Sequence, residues 1–316
     1  MSGAGNEGQS NNNKRGTSFM YENNIASIMV TYNPEADVVG NAKAITKSCK
    51  ELIVIDNGSK SEALKNVQLL ENETNITIIY NKQNMGLGYA LNQGIQYILD
   101  SQELKQVEWI ATFDQDSKVD HRYFEGMLSA YENFPNKEIV AILAPNWVEQ
   151  KITSHEQSIS NSTELLQEQK TVITSGSLVK KKVFSEIGLF EEDYFIDFLD
   201  HEFCLRARSK GYKIFMVPDV SMVHNLGNTQ QHQLLGSTVM ATNHNYIRRY
   251  YITRNRIYTY RKFFKTEKEW IKEDFTATAK EFIIIFLFEK DRLKKLNSMI
   301  TGSFDALRGK KGPGKF

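Results

Sequence analysis

Two carboxylates one residue apart close an apolar, β-prone run, Trp109-Ile110-Ala111-Thr112-Phe113-Asp114-Gln115-Asp116-Ser117. In extended backbone, residues i and i+2 point to one side, so Asp114 and Asp116 are expected to face one point in space. Like charges that close repel unless a cation lies between them. Hard divalent ions take oxygen ligands, and Mg²⁺ is commonly held by one or two carboxylates plus substrate phosphates. Taken alone, a D-x-D pair is more often a solvated turn, so its meaning depends on what the fold brings beside it.

Other residues could join that chemistry. Asp200 and Glu202 end an acidic segment that begins at Glu191 and runs into a helix. Acidic residues at a helix start are stabilised by the macrodipole and free N–H groups, so capping accounts for either one. Glu202 and Arg206 stand four apart on one helical face and suit a structural salt bridge. Asp200 has no such partner in sequence, and beside a phosphate leaving group it could deprotonate a hydroxyl. Spacing leaves base and N-cap both open. His224 ends an apolar strand, where histidine ordinarily packs or caps, yet it could complete a carboxylate metal site as a nitrogen ligand. Asn84-Met85-Gly86-Leu87-Gly88 permits a tight turn and close approach to a ligand at a helix start, although Leu91 breaks G-x-G-x-x-G. Arg248, Arg249, Arg254 and Arg256 lie on a predicted helix; arginine forks suit phosphate oxygens, and an exposed basic helix is the plain alternative.

Composition is that of a globular chain, 316 residues with 41% hydrophobic and 24% charged, enough to bury a sizeable core. The net charge of +1 conceals an asymmetry. Residues 246–316 hold 18 Lys/Arg against 8 Asp/Glu, and the remainder 21 against 30. A basic end beside an acidic body suggests an anionic lipid or polyanionic substrate surface, or simply solvated helices. Cys49 and Cys204 show no metal or disulfide spacing, which fits a reducing cytosol. Residues 1–20, polar and rich in Gly, Asn and Ser, read as a disordered tail without a signal peptide. The longest apolar run, Phe282 to Phe288, has seven residues, whereas crossing a bilayer takes about twenty.

These groups need elements to position them. Strands are predicted at 25–32, 51–56, 76–80 and 107–113, alternating with helices at 35–48, 61–71 and about 88–99. That alternation argues for a mostly parallel sheet covered on both faces. In such sheets the ligand crevice lies outside the carboxyl ends of the strands, so Asp56, Asn84, Asp114 and Asp116 should gather at one rim. Beyond come a helix at 121–133, a strand at 139–143, a polar flap or loop at about 149–170 and a strand at 171–177. A helix at 181–187 and the helix 203–210 follow, then strands at 213–217 and 220–224. The end is helical, over 245–265 and 268–308.

Taken in order, these segments resemble a family 2 glycosyltransferase, with bacterial rhamnosyltransferases most similar and galactofuranosyltransferases nearby. The resemblance covers roughly residues 25–265. It is carried by V-T-Y-N-P at 30–34, V-I-D-N-G-S at 54–59, N-M-G-L-G-Y-A-L-N-Q-G at 84–94 and F-D-Q-D-S at 113–117. It continues with S-G-S at 175–177, D-H-E-F-C-L-R at 200–206, H-N at 224–225 and R-R-Y-Y-I-T-R-N at 248–255. It implies an α/β GT-A type nucleotide-diphospho-sugar transferase fold: a Rossmann-like, mostly parallel sheet flanked by helices, with a helical C-terminal extension. The catalytic domain would span 21–240, with a nucleotide-binding half at 21–120 and an acceptor-binding half at 121–240; the basic extension would take 241–316.

The resemblance also assigns roles. Thr31, Asp56, Asn84, Gly86, Asn92, Asp114 and Gly176 would bind the nucleotide-sugar. Asp114, Asp116 and His224 would hold Mg²⁺ or Mn²⁺ on the diphosphate. Asp200 would be the general base, with Asp197 its rival, and Glu202, Arg206 and Arg254 would support the acceptor side. The implied reaction is an inverting single displacement, with dTDP-L-rhamnose as donor ahead of a UDP-sugar. The acceptor would be a lipid-diphosphate-linked glycan of O-antigen, capsule or cell-wall synthesis, at the inner face of the cytoplasmic membrane. The basic extension would touch the anionic membrane surface or form a homodimer. A non-catalytic nucleotide- or glycan-binding module is the other reading, and nucleic-acid binding is not expected.

Overall fold

The computed structural model describes Tyr21, residues 23–149, 164–224, 229–234, 236–314 and Phe316, without the side chains of Glu149, Val223 and His224. The expected tail at 1–20 and residues 150–163 of the expected flap lie outside the described residues.

Continuous apolar runs build the first half. Strand β1 (Ile25–Thr31) sends Ile25 and Met29 to one face and Ala26 and Ile28 to the other, all fully buried. A strand covered on both sides reads as such a continuous run. β2 (Glu51–Asp56) and β4 (Trp109–Asp114) follow the same logic, while β3 (Ile76–Tyr80) is the edge strand and only partly buried. On one face lie α1 (Val38–Thr46) and α4 (Tyr123–Glu132), through Val38, Ala42, Ile45, Phe124 and Met127. The other face receives α3 (Leu87–Asp100), through Ala90, Leu91, Ile95 and Ile98. Short α2 (Ser61–Gln68) connects β2 to β3.

The second half adds β5 (Val140–Glu149), β6 (Gln167–Gln169), β7 (Leu178–Lys180), α5 (Lys181–Ile187), α6 (Leu199–Ser209) and β8 (Lys213–His224). The eight strands lie in the order β3-β2-β1-β4-β7-β5-β8-β6. β7 is antiparallel to β4 and β5, and β6 to β8; the other neighbours are parallel. Because β1 has β2 on one side and β4 on the other, connections reverse direction there. Such a switch point opens a crevice at the strand ends.

Several elements differ from expectation. Residues 171–177 form a looped turn rather than a strand. Gly176, at φ +79°, breaks the extension, and the turn bonds β4 sideways instead: Gly176 N–H donates to Thr112 O at 2.7 Å and Thr112 Oγ1 to Thr174 O at 2.7 Å. Within the expected flap, Gln167–Gln169 pairs with β8. Residues 213–224 are one strand with a bulge where pairing passes from Pro145↔Val217 to Asn146↔Ser221. A hairpin of β9 (Gln230–Leu234) and β10 (Ser237–Ala241) carried no apolar alternation to reveal it. The chain then makes α7 (Tyr246–Phe263), α8 (Lys268–Phe288) and α9 (Arg292–Leu307), the last two separated at Asp291, φ +53°.

Candidate active site

The parallel register sets Thr31 beside Asp56, and Val30 beside Asp114, at one end of the sheet. Asp56, 1% exposed, accepts from Thr31 Oγ1 at 3.0 Å and from Ser59 N–H at 3.0 Å. Its carboxylate therefore shapes the loop after β2 from beneath. Asn57 ties that loop to the next one, donating to Asn84 Oδ1 at 3.1 Å and accepting from Met85 N–H at 3.0 Å. Asn84 Oδ1 also accepts from Gly86 N–H at 2.9 Å. Gly86 has φ +93°, and a Cβ there would lie 2.7 Å from the Phe195 ring. Thus Thr31, Asp56, Asn84 and Gly86 share one rim.

Two other expected nucleotide contacts lie elsewhere. Asn92, 5% exposed, bonds Phe190 in both directions and donates to Glu192 Oε1. Buried Gly176 supports the floor, since a Cβ there would meet Met222 and Tyr123 at 2.7 Å. Its neighbour Ser175 lies 2.8 Å from Ser117 Oγ and accepts from Asp114 N–H at 3.2 Å.

The backbone turns at the end of β4, so Asp114 and Asp116 do not share one face of an extended strand. Ser117 N–H donates back to Asp114 O at 3.1 Å, leaving Asp114 half-buried and Asp116 exposed. Gln115, unnoticed in sequence, anchors this turn across the switch point. Its side chain accepts from Tyr32 N–H at 2.8 Å and its carbonyl from Asn41 Nδ2 at 3.0 Å. Among the described residues no three His, Cys, Asp or Glu side chains converge as a ready metal cage. The side chain of His224 and the marker residue Asn225 lie outside that description.

Opposite this turn runs a strained segment. Phe195 has φ +64° and ψ −58°, with Ile196 N–H donating to Tyr194 O at 2.8 Å, a γ-turn of the rare positive-φ hand. Asp197 and Phe198 follow at φ +62° and +67°. Each such residue costs about 1–3 kcal/mol unless its surroundings enforce it. Asn255 supplies much of that enforcement: fully buried, it donates to Tyr194 O and Ile196 O at 2.8 Å and to Asp197 O at 3.0 Å. Arg254, also fully buried, donates to Asp193 O at 3.1 Å and Tyr194 O at 3.2 Å. Arg254 therefore spends its fork on backbone.

The segment delivers two carboxylates. Asp197, 12% exposed, is gripped by Arg248, whose Nε and Nη2 reach its oxygens at 2.9–3.1 Å. Burial pushes the Asp197 carboxyl above its ordinary range; Arg248 pulls it back, and Asp200 adds to the rise. Burial also opposes the charge on Arg248, but Asp197, Asp114 and Asp200 outweigh it and raise its pKa. That shared field joins α7, β4 and α6 at one place. Asp200 is the second residue of α6, whose cap position is Phe198, so Asp200 is not the N-cap. Among the described residues its carboxylate accepts one hydrogen bond, from His201 N–H at 2.8 Å. Glu202, fully buried, forms the expected pair with Arg206 at 2.8 Å and also accepts from Lys262 at 2.7 Å. Arg206 donates to Ile187 O and Leu189 O. Both side chains lock α6 to its neighbours.

A switch point rimmed by acidic turns is where such a sheet takes its ligand, and the fold is of the GT-A type. The chain belongs to glycosyl transferase family 2, whose profile matches residues 27–188. It is 29% identical over 310 residues to the dTDP-rhamnosyl transferase RfbF of Shigella flexneri, covering 93% of this chain and 98% of that one. The fold is shared with S. aureus TarS 1–349 in complex with UDP-GlcNAc, at TM-score 0.57 and 14% identity, over 90% of this chain and 80% of that one. It is shared also with GalNAc-T7 bound to UDP, GalNAc and Mn²⁺, at TM-score 0.55 and 14% identity; there 78% of this chain spans 49% of the other. The protein is a glycosyltransferase.

Proposed function

We propose that the chain transfers L-rhamnose from dTDP-L-rhamnose to a lipid-diphosphate-linked glycan in cell-surface polysaccharide synthesis, inverting the anomeric centre in one displacement. The donor reading is supported by the near full-length match to a dTDP-rhamnosyl transferase. The observation that carries the chemistry is the contrast between Asp197 and Asp200. Arg248 occupies both oxygens of Asp197, whereas among the described residues Asp200 accepts only its neighbour's amide. Asp200 therefore has the capacity to take a proton. It would deprotonate the acceptor hydroxyl as that oxygen attacks opposite the departing diphosphate, with no covalent sugar–enzyme intermediate.

The nucleotide would lie along the rim of Thr31, Asp56, Asn84 and Gly86. Asp114 and Asp116 would hold Mg²⁺ or Mn²⁺, with His224 as a further ligand. Two carboxylates on one turn suit a divalent ion whose shell substrate phosphates complete. Such an ion, when bound, neutralises charge on the leaving nucleoside diphosphate.

No helix of the described residues is long and apolar enough to cross a membrane. Yet α8 turns Phe282 and Phe286 outward, each at least 46% exposed, with the exposed Arg292 guanidinium 5.8 Å from the Phe286 ring, and Ile300 and Phe304 of α9 are exposed as well. Each cation near an anionic bilayer is worth about 1 kcal/mol. These exposed apolar and basic residues support a peripheral position on the inner side of the cytoplasmic membrane, where a lipid-linked acceptor would be met.

The test is a donor panel with Mg²⁺ or Mn²⁺ and a lipid-diphosphate disaccharide. Transfer from dTDP-rhamnose is expected; transfer from UDP-sugars alone overturns the donor, and nucleotide binding without any turnover favours a binding module. Asp200→Asn should lower turnover by about 10²–10⁴-fold. Full turnover in Asp200→Asn with loss in Asp197→Asn would transfer the base to Asp197.

A further inference from the structure

The segment that follows α9 returns to the stretch just before the strained turn and bonds it at Asp193. Gly312 N–H donates to Asp193 O at 2.9 Å, and Gly312 O accepts from Arg254 Nη1 at 2.6 Å. Gly314 N–H donates to Tyr251 Oη at 2.7 Å. Tyr251 in turn stacks on Phe195, the centre of the γ-turn, with ring centroids 5.1 Å apart and planes 19° apart. Tyr258 Oη holds the strap at Lys310 O, 2.6 Å away. Lys311 also pairs with Asp193, but both side chains are exposed, and such pairs contribute little. The directional contacts are those of the backbone at 312 and 314.

We propose that Lys310–Gly314 is a positioning strap for the catalytic segment 193–200. Arg254 and Asn255 hold the carbonyls of Asp193, Tyr194, Ile196 and Asp197 from the α7 side. The strap holds Asp193 from the other end and braces Phe195 through Tyr251. Three residues at positive φ in a span of four would relax without such enforcement, and Asp197 and Asp200 would move with them. Among the described residues, no strap residue bonds Asp197 or Asp200; their effect is carried by backbone position. The proposal rests on the reading of Asp200 as base.

Gly312 has φ +71° with open space around a Cβ. Gly312→Pro removes the N–H and fixes φ near −65°, whereas Gly312→Asn keeps the donor and tolerates the left-handed region. Misplacement of about 1 Å can cost up to 10²-fold in rate, so kcat of Gly312→Pro is expected to fall by about tenfold or more. The loss in kcat should exceed any rise in donor KM, which can move modestly because Phe195 abuts Gly86 at the nucleotide rim, and Gly312→Asn should keep kcat near native. Amide exchange at Phe195 and Ile196 should accelerate in Gly312→Pro alone. Lys311→Ala should keep kcat.

Unchanged kcat or unchanged exchange in Gly312→Pro overturns the strap. So does a parallel loss of melting temperature and nucleotide affinity, which would mark general unfolding. If Gly312→Pro does not fold, Tyr251→Phe removes the acceptor of Gly314 while keeping the ring stacked; it should show the same exchange signature with kcat down about threefold, and no change overturns the proposal. Exchange is read without substrate, so an unaffected Asp200→Asn variant would defeat the base assignment separately.

Discussion

Asn255 offers the sharpest perturbation. Its single amide nitrogen serves three carbonyls of a segment that holds three residues at positive φ. A net hydrogen bond is worth about 1 kcal/mol, and a buried acceptor left without a donor costs about 1–3 kcal/mol. Local relaxation of the turn would recover part of that loss, so Asn255→Ala is expected to cost about 3 kcal/mol. Asn255→Asp keeps the shape and the Arg254 Nε contact to Oδ1 at 3.1 Å. However, it turns an acceptor toward three acceptors, so it should lose at least as much as the alanine variant. Urea unfolding at constant slope reads the stability, and turnover at saturating donor reads the site. Both variants should lose turnover beyond their loss of folded protein, because Asp197 and Asp200 ride on the turn. A stability loss under about 1 kcal/mol, or an aspartate variant as stable as the native chain, refutes the reasoning.

Four further outcomes follow from the same structure. Arg248→Gln leaves Asp197 buried without its partner; with Arg248 half exposed, the loss should be about 1–2 kcal/mol at neutral pH. The Asp197 carboxyl then rises further, so chemical denaturation should show that deficit shrinking as pH falls toward the ordinary carboxylate value of 3.8. His244 is pushed down to about 3 by burial first and then by Arg248 and Arg249. The unfolded chain then binds the extra proton, so stability complete above pH 6.5 should drop by about 1–2 kcal/mol by about pH 5. His244→Gln should flatten that slope. Asp116→Ala, an exposed change, should keep stability within about 0.5 kcal/mol while turnover and its metal dependence are lost; turnover equal to native argues against an ion at this turn. Phe282→Glu with Phe286→Glu should release the protein from anionic vesicles in flotation, and a native chain that ignores such vesicles and sediments as a dimer assigns that face to a second copy.

Much of the nucleotide-side rim was legible along the chain. Nearly unbroken burial along β1 and the polar strand ends at Asp56 and Asp114 predict the sheet and its active edge, because a doubly covered parallel strand must be largely apolar and stop abruptly. The Glu202–Arg206 pair was legible for the same local reason, being one helical turn apart. What sequence could not supply is where long-range partners spend their hydrogen bonds. Arg254 and Asn92 look like ligand-binding residues by type, yet both are consumed by backbone carbonyls far away in sequence. Conversely Arg248, one basic residue among several, becomes part of the site because α7 sets it against Asp197. Local spacing determines elements, edges and helical pairs. Only the tertiary structure decides which of two nearby carboxylates is held by a guanidinium, since that depends on a turn strained into shape by α7 and the segment beyond α9.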